Sequence, residues 1–222
     1  MTGTSGFTAA RPMRVAVLAS GGGTNLQALL DSSLQESPYR VVLVASDKPQ
    51  AYALERARKR GVPARVISDP SDAQALVRLL QEYRVDLVVL AGYLKLVPAE
   101  VVHAFTGRII NIHPALLPAF GGAGMYGRRV HQAVLASGAT VTGATVHIVD
   151  EEYDRGPIVA QWPVAVRPGD TPETLAARVL EAEHKLLPQV VRKAAEAGRV
   201  VRLFPAVAFG APSVAAVPPE GG

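Results

Sequence analysis

The sequence predicts an α/β fold: a doubly wound, mostly parallel sheet, extended by an antiparallel strand pair and closed by a long C-terminal helix. Three observations predict it. Val/Ile/Leu-rich runs alternate with helical patterns through the first half of the chain, as they do when crossover helices cover both faces of a parallel sheet. Two long strand-like runs, 140–149 and 157–166, then follow one another across a single turn-rich segment. The last patterned stretch repeats apolar residues at helical spacing from Leu175 to Val190.

The elements follow in order. RVAVLAS (14–20) is apolar on both faces, as a central parallel strand must be. A helix opens near Thr24 with Leu26, Leu29 and Leu30 on one side. VVLVAS (41–46), a helix over about 50 to 60, ARVIS (64–68), a helix over about 71 to 83 and DLVVLAG (86–92) repeat the unit. A short helix begins near Pro98, and RIINIH (108–113) ends the parallel series. TVTGATVHIV and PIVAQWPVAV, joined by DEEYDRG, form the antiparallel pair. Thr171 caps the final helix, with Pro172 at its first position and Glu173 behind it. Its buried face is Leu175, Val179, Ala182, Leu186 and Val190, and Gly198 ends it. Residues 1–12 read as a frayed tail, 13–203 as one domain, and the Pro/Gly/Ala-rich 204–222 as a disordered tail.

Bulk composition narrows the function classes. A chain of 222 residues, 49% hydrophobic and 19% charged, suits one globular domain with a sizeable core. No apolar run approaches the roughly 18 residues that span a membrane. The first dozen residues lack a signal core, so a cytoplasmic protein is expected. The absence of cysteine excludes disulfides, thiol catalysis and Cys-ligated metal. Net charge is +4 with pI near 9.6. The cations are scattered, with Arg56, Arg58, Lys59 and Arg60 on one helix and Arg128 and Arg129 in a loop. That fits small anionic ligands better than nucleic acid. The expected partners are therefore small molecules, with neither nucleic acid nor membrane, and the chain a monomer or homodimer.

SGGGTNLQ (20–27) follows the first strand and opens the first helix. Glycines there let backbone N–H groups approach an anion at the positive end of the helix. The loop lacks the Lys-Ser/Thr of a P-loop, and Leu26 stands where a dinucleotide fingerprint needs glycine. Thr24 and Asn25 add hydrogen-bonding groups suited to a terminal phosphate monoester. The alternative is a tight turn in which Thr24 only caps the helix.

Asn111 and His113 lie two apart at the end of a strand, with Pro114 stopping it. Residues i and i+2 face the same way, and ligands of a parallel α/β sheet sit at the carboxyl ends of its strands. An amide beside an imidazole suits a developing oxyanion, and the imidazole can also pass a proton. The alternative is a histidine that tethers a loop. A catalytic histidine needs a carboxylate, expected to raise its pKa. DEEYDRG offers Asp150, Glu151, Glu152 and Asp154, among which Asp154 precedes a rigid Arg-Gly-Pro turn and the others read as solvated. His147, mid-strand, reads as structural, and His103, His131 and His184 carry no ligand pattern. No HxxxH or HExxH occurs, so no metal is expected.

SGGGTNLQ, LVVLAGYLKLVP, IINIHPALLP and GATVHIVDEEYDRGPIVAQ together resemble the folate-dependent phosphoribosylglycinamide formyltransferases of purine synthesis, over about residues 14 to 202. The resemblance implies a Rossmann-like formyltransferase fold and 10-formyltetrahydrofolate as co-substrate, without metal. It implies a catalytic set of Asn111, His113 and Asp154. The phosphoribosyl substrate is implied at Gly23, Thr24 and Asn25 and at Glu183 on the last helix, about 80° from Leu175 by helical spacing. The folate is implied at Leu94, Lys95, Leu96 and Val97, at Asn111, and along Asp150, Glu151, Glu152, Tyr153 and Asp154. The implied reaction formylates the amine of 5-phosphoribosylglycinamide. Other N-formyltransferases and formyltetrahydrofolate deformylase share the fold. The tRNA enzyme and the deformylase are expected to carry further domains, for which the about twenty residues after Arg202 and the dozen before the first strand are too few.

Overall fold

The structure, a computed structural model, describes residues 11–33 and 37–203. The two expected tails fall almost wholly outside the described residues. Arg11, assigned to the first tail, is held: its guanidinium meets the Asp86 carboxylate at 2.7 and 2.9 Å.

In chain order the elements are β1 (Met13–Leu18), α1 (Thr24–Ser32), β2 (Tyr39–Ser46), α2 (Tyr52–Lys59), β3 (Ala64–Val66), α3 (Ala73–Glu82) and β4 (Leu87–Leu90). Then come α4 (Ala99–Ala104), β5 (Ile109–His113), α5 (Arg128–Ala136), β6 (Val141–Ile148), β7 (Ile158–Ala165) and α6 (Pro172–Ala197). They build one seven-stranded sheet in the order β3-β2-β1-β4-β5-β6-β7. The first five strands pair in parallel, while β5–β6 and β6–β7 are antiparallel. The predicted architecture is the observed one.

Alternation along the central strands divides the core. Val15 and Val17 pack on one face with Leu26 and Leu29 of α1 and Leu175, Leu186 and Val190 of α6. Ala16 and Leu18 pack on the other with Leu76 and Leu80 of α3 and Val101 of α4. The apolar face predicted for α6 is buried throughout. Thr171 caps this helix as expected, but its partner is Thr174, whose hydroxyl returns to the Thr171 N–H at 2.9 Å. Gly198, in the left-handed region at φ 68°, ends it.

One expectation is corrected. Arg128 and Arg129 are not in a loop but form the first turn of α5. That helix starts after Gly127 with no side-chain cap, and a histidine, His131, sits in its buried stripe with Val130 and Val134. Neither a capping signal nor an unbroken apolar period marks it in the sequence.

The sheet order decides where the site lies. β1 has β2 on one side and β4 on the other, so the connections after β1 and β4 depart in opposite directions. A crevice opens between them at the carboxyl ends of the strands. The glycine loop leaves β1 there, LAGYLKLVP leaves β4, and β5 ends beside both.

Candidate active site

A cavity of about 820 Å³ fills this crevice. Asn111 and His113 both line it from the end of β5, as the two-residue repeat of a strand requires. Asn111 is half-buried and His113 buried. Asp154 lies beneath them with its side chain 10% exposed, whereas those of Glu151 and Glu152 are 58% and 77% exposed. The backbone makes this choice. Asp154 adopts φ 58°, a left-handed conformation that aspartate tolerates better than most residues. It turns one carboxylate of an otherwise solvent-facing loop inward.

The Asp154 carboxylate then collects donors. Oδ2 accepts from the Gly122 N–H at 2.9 Å and lies 3.4 Å from His113 Nδ1. Oδ1 accepts from Asn111 Nδ2 at 3.3 Å and lies 3.4 Å from His147 Nε2. Burial pushes its pKa up, but the His147 and Gly122 N–H hydrogen bonds and the neighbouring His113 outweigh this and leave it lowered.

His147, read from the sequence as structural, belongs to this cluster. It sits directly across the sheet from Asn111 in the β5–β6 register. The ring contacts the Ile148 carbonyl through Nδ1 at 2.9 Å. Nε2 lies 3.1 Å from Asn111 Nδ2 as well as 3.4 Å from Asp154 Oδ1, and a proton on Nε2 is donated to that carboxylate. His131 also lines the cavity, buried, with Nδ1 partnerless among the described residues. Burial first, then the neighbouring His113, lowers its pKa. Strand register and the packing of α5 bring these two histidines in, and no local sequence signal carries either fact.

The expectation of a raised pKa for His113 is corrected. Burial lowers it, and outweighs the opposing pull of Asp154 and of the Phe120 carbonyl. The free ring is therefore held toward neutrality. Nε2 meets the Phe120 carbonyl at 2.8 Å and Nδ1 faces Asp154 Oδ2 at 3.4 Å. Both neighbours are acceptors, so only the doubly protonated ring satisfies both. The site favours a neutral histidine at rest and supports the cation once a proton arrives.

The glycine loop forms the opposite wall. Its helix cap is Gly23 at φ 68°, with no side-chain cap, so Thr24 is the first helical residue rather than the cap. The first intrahelical bond runs from Gln27 N–H to Gly23 O. The amides of Thr24, Asn25 and Leu26 are thereby left without helix partners, and no acidic residue stands in the first turn. α2 supports the loop from behind. Ala53 N–H donates to Gly21 O at 3.1 Å, and Arg56 Nε donates to Gly22 O at 2.8 Å. Free amides at a helix N-terminus are the geometry that attracts an anion.

Glu183 reaches the same wall from α6. It is buried, and its carboxylate accepts from Asn25 Nδ2 at 2.7 Å, while Asn25 Oδ1 is partnerless among the described residues. Burial pushes the Glu183 carboxyl up to about 7, the Asn25 bond holding it back only in part. A carboxyl raised from 4.5 in this way leaves stability intact below its unfolded pKa. Stability is then lost as pH rises through the folded value. Glu183→Gln keeps shape and acceptor but cannot ionise. Relative to the variant, the wild-type Tm is expected to fall between about pH 4.5 and 7.5, by an amount equivalent to on the order of 3 kcal/mol. Parallel Tm-versus-pH curves for the two proteins would refute this.

The third wall is apolar. Leu94, Lys95, Leu96 and Val97 line the cavity, as do Asp150, Glu152 and Tyr153. Val97 is buried, whereas Leu94 and Leu96 are 42% and 45% exposed. Glu151 is the exception among the expected residues. It stands outside the cavity wall and pairs at 2.8 Å with His103 of α4. Among the described residues, no three His, Cys, Asp or Glu side chains form a metal-holding group, and no helix is long and apolar enough to cross a membrane.

Comparison with known proteins adds to this geometry. The model of the formyl transferase family matches residues 13–191. The chloroplastic phosphoribosylglycinamide formyltransferase of Arabidopsis thaliana is 50% identical over 189 residues, covering 82% of this chain and 65% of that protein. The phosphoribosylglycinamide formyltransferase of Bacillus subtilis (strain 168) is 37% identical over 187 residues, covering 81% and 93%. Glycinamide ribonucleotide transformylase 1 from Symbiobacterium toebii has a similar crystal structure. The TM-score is 0.81 at 43% identity, covering 91% of this chain and 99% of that one. The match spans only 65% and 62% of the lengths of the chloroplastic proteins of Arabidopsis thaliana and Vigna unguiculata.

Proposed function

The chain belongs to the formyl transferase family, and from that premise we propose that it moves the formyl group of 10-formyltetrahydrofolate to the amine of 5-phosphoribosylglycinamide. The products are formylglycinamide ribonucleotide and tetrahydrofolate, a step of purine synthesis. One observation carries the reading: Asn111, His113 and Asp154 cluster between the free amides of the glycine loop and an apolar wall, within one cavity. An anionic phosphoribosyl amine and a flat, largely apolar formyl donor can meet over that cluster.

Each residue then has a part. The free amides at Thr24 and Asn25 hold the phosphate. Asn25 Oδ1 and Glu183 accept from the hydroxyl and amine groups of the sugar side. Leu94, Leu96, Val97 and Tyr153 pack the donor's rings. The amine nitrogen attacks the formyl carbon, and the carbonyl π pair moves to oxygen. Asn111 donates to that oxygen. Neutral His113 takes the proton that the nitrogen loses. As an imidazolium beside Asp154 it stabilises the oxyanion, then returns the proton to the departing folate nitrogen as the C–N bond breaks. The Phe120 carbonyl occupies His113 Nε2 in the free protein, so this contact yields to substrate.

The test supplies formyl donor with phosphoribosylglycinamide, with a sugar-nucleotide amine, or with no amine. Donor consumption and formylated product are expected only with phosphoribosylglycinamide. Equal consumption without any amine would identify a deformylase, and preference for the sugar nucleotide would identify a different transferase.

A further inference from the structure

Tyr93 stands in the cavity wall immediately before Leu94. It is 8% exposed, and its hydroxyl is buried with no hydrogen-bond partner among the described residues. Burial first, then the Asp47 carboxylate and the Tyr153 phenol, pushes its pKa up to about 12. The hydroxyl therefore keeps its proton at neutral pH and is available as a donor.

The backbone on both sides is pinned. Ser20 N–H donates to Gly92 O at 2.9 Å, and Leu94 N–H donates to Ser20 Oγ at 3.0 Å. That serine hydroxyl in turn donates to Asp47 Oδ1 at 2.5 Å. These bonds fix the backbone on either side of Tyr93. A buried hydroxyl left unpaired is destabilising, and a ligand offering an acceptor would relieve it.

We propose that Tyr93 is a specificity-determining residue, whose hydroxyl donates to a polar heteroatom on the ring system of the formyl donor. The inference rests on the reading that this ring docks beside Leu94–Val97. It makes the wall selective for a heteroatom-bearing bicycle over an apolar ring of the same shape. Leu94, Leu96 and Val97 supply area without discrimination, and Tyr93 supplies the polar contact.

The test is Tyr93→Phe, which removes the oxygen and preserves the ring. Three measurements are made on the full chain: tetrahydrofolate binding by calorimetry, ribose 5-phosphate binding, and Tm without ligand. The Kd for tetrahydrofolate is expected to rise about tenfold, as for a ring acceptor that loses its donor. Ribose 5-phosphate affinity is expected to be unchanged, and the ligand-free Tm unchanged or higher because an unpaired hydroxyl has gone. A structural hydroxyl would act the other way, lowering Tm and weakening both ligands together, and that result overturns the proposal. Wild-type protein that binds tetrahydrofolate with an affinity the variant retains overturns this inference alone. Wild-type protein that does not bind tetrahydrofolate removes the donor-site reading and this inference with it.

Discussion

Asp154→Asn is expected to lower kcat by at least about a hundredfold, the usual scale for losing acid–base assistance, with KM for both substrates little changed. The variant keeps the size of the side chain and an oxygen for the Gly122 N–H, but it removes the charge. In the native protein Asp154 opposes burial, which lowers the pKa of His113. Without it, only the Phe120 carbonyl still opposes desolvation, and the imidazolium loses its counter-charge at the moment the oxyanion forms. An opposite charge at this range shifts a pKa by roughly 1–3 units. The His113 resonance, followed by NMR against pH, is therefore expected to titrate lower in the variant than in the wild type. Wild-type turnover together with an unmoved histidine would reduce Asp154 to a turn residue.

Gly23→Val is the second large effect. Gly23 holds φ +68°, and a Cβ built there lies 2.8 Å from both Cα and Cβ of Ala53. One of these atoms is backbone in α2, so the conflict cannot be relieved by a rotamer change. The loop must move instead, taking the free amides of Thr24 and Asn25 with it. Charge-assisted hydrogen bonds of about 1.5–3 kcal/mol are at stake. The KM for the phosphoribosyl substrate is thus expected to rise by about a hundredfold, while that for the formyl donor stays nearly constant. Initial rates with each substrate varied in turn measure the split, and circular dichroism confirms that the variant folds. An equal rise in both KM values would remove the phosphate from this loop.

The strands, their alternation with helices and the ends of α6 were legible because they rest on local chemistry. Leu175 to Val190 repeat at helical spacing, Pro172 fits only a first turn, and Gly198 accepts the left-handed conformation that closes the helix. α5 was not legible. Its start lacks a side-chain cap, and its buried face includes His131, so the local signal for a helix is absent where tertiary packing supplies the stability.

The site divides along the same line. Asn111 and His113 could be paired from sequence, because strand geometry fixes residues i and i+2 on one side whatever the rest of the chain does. The glycine loop could be read as an anion site, because helix N-termini leave amides free in any fold. The Asp154 choice came from resemblance, since chemistry alone left four carboxylates open. The structure supplies the physical ground for it: a left-handed backbone at Asp154 turns this side chain inward while Glu151 faces His103. His147 faces Asn111 only because β6 runs antiparallel to β5 in that register. The protonation of His113 was misjudged for a related reason. The sequence shows that a carboxylate is at hand, but the degree of desolvation opposing it depends on how β5, α5 and the 119–127 segment pack together. Local geometry and residue chemistry were therefore written in the chain. Burial, register and the balance of charge against desolvation are sums over distant residues, and only the folded arrangement decides them.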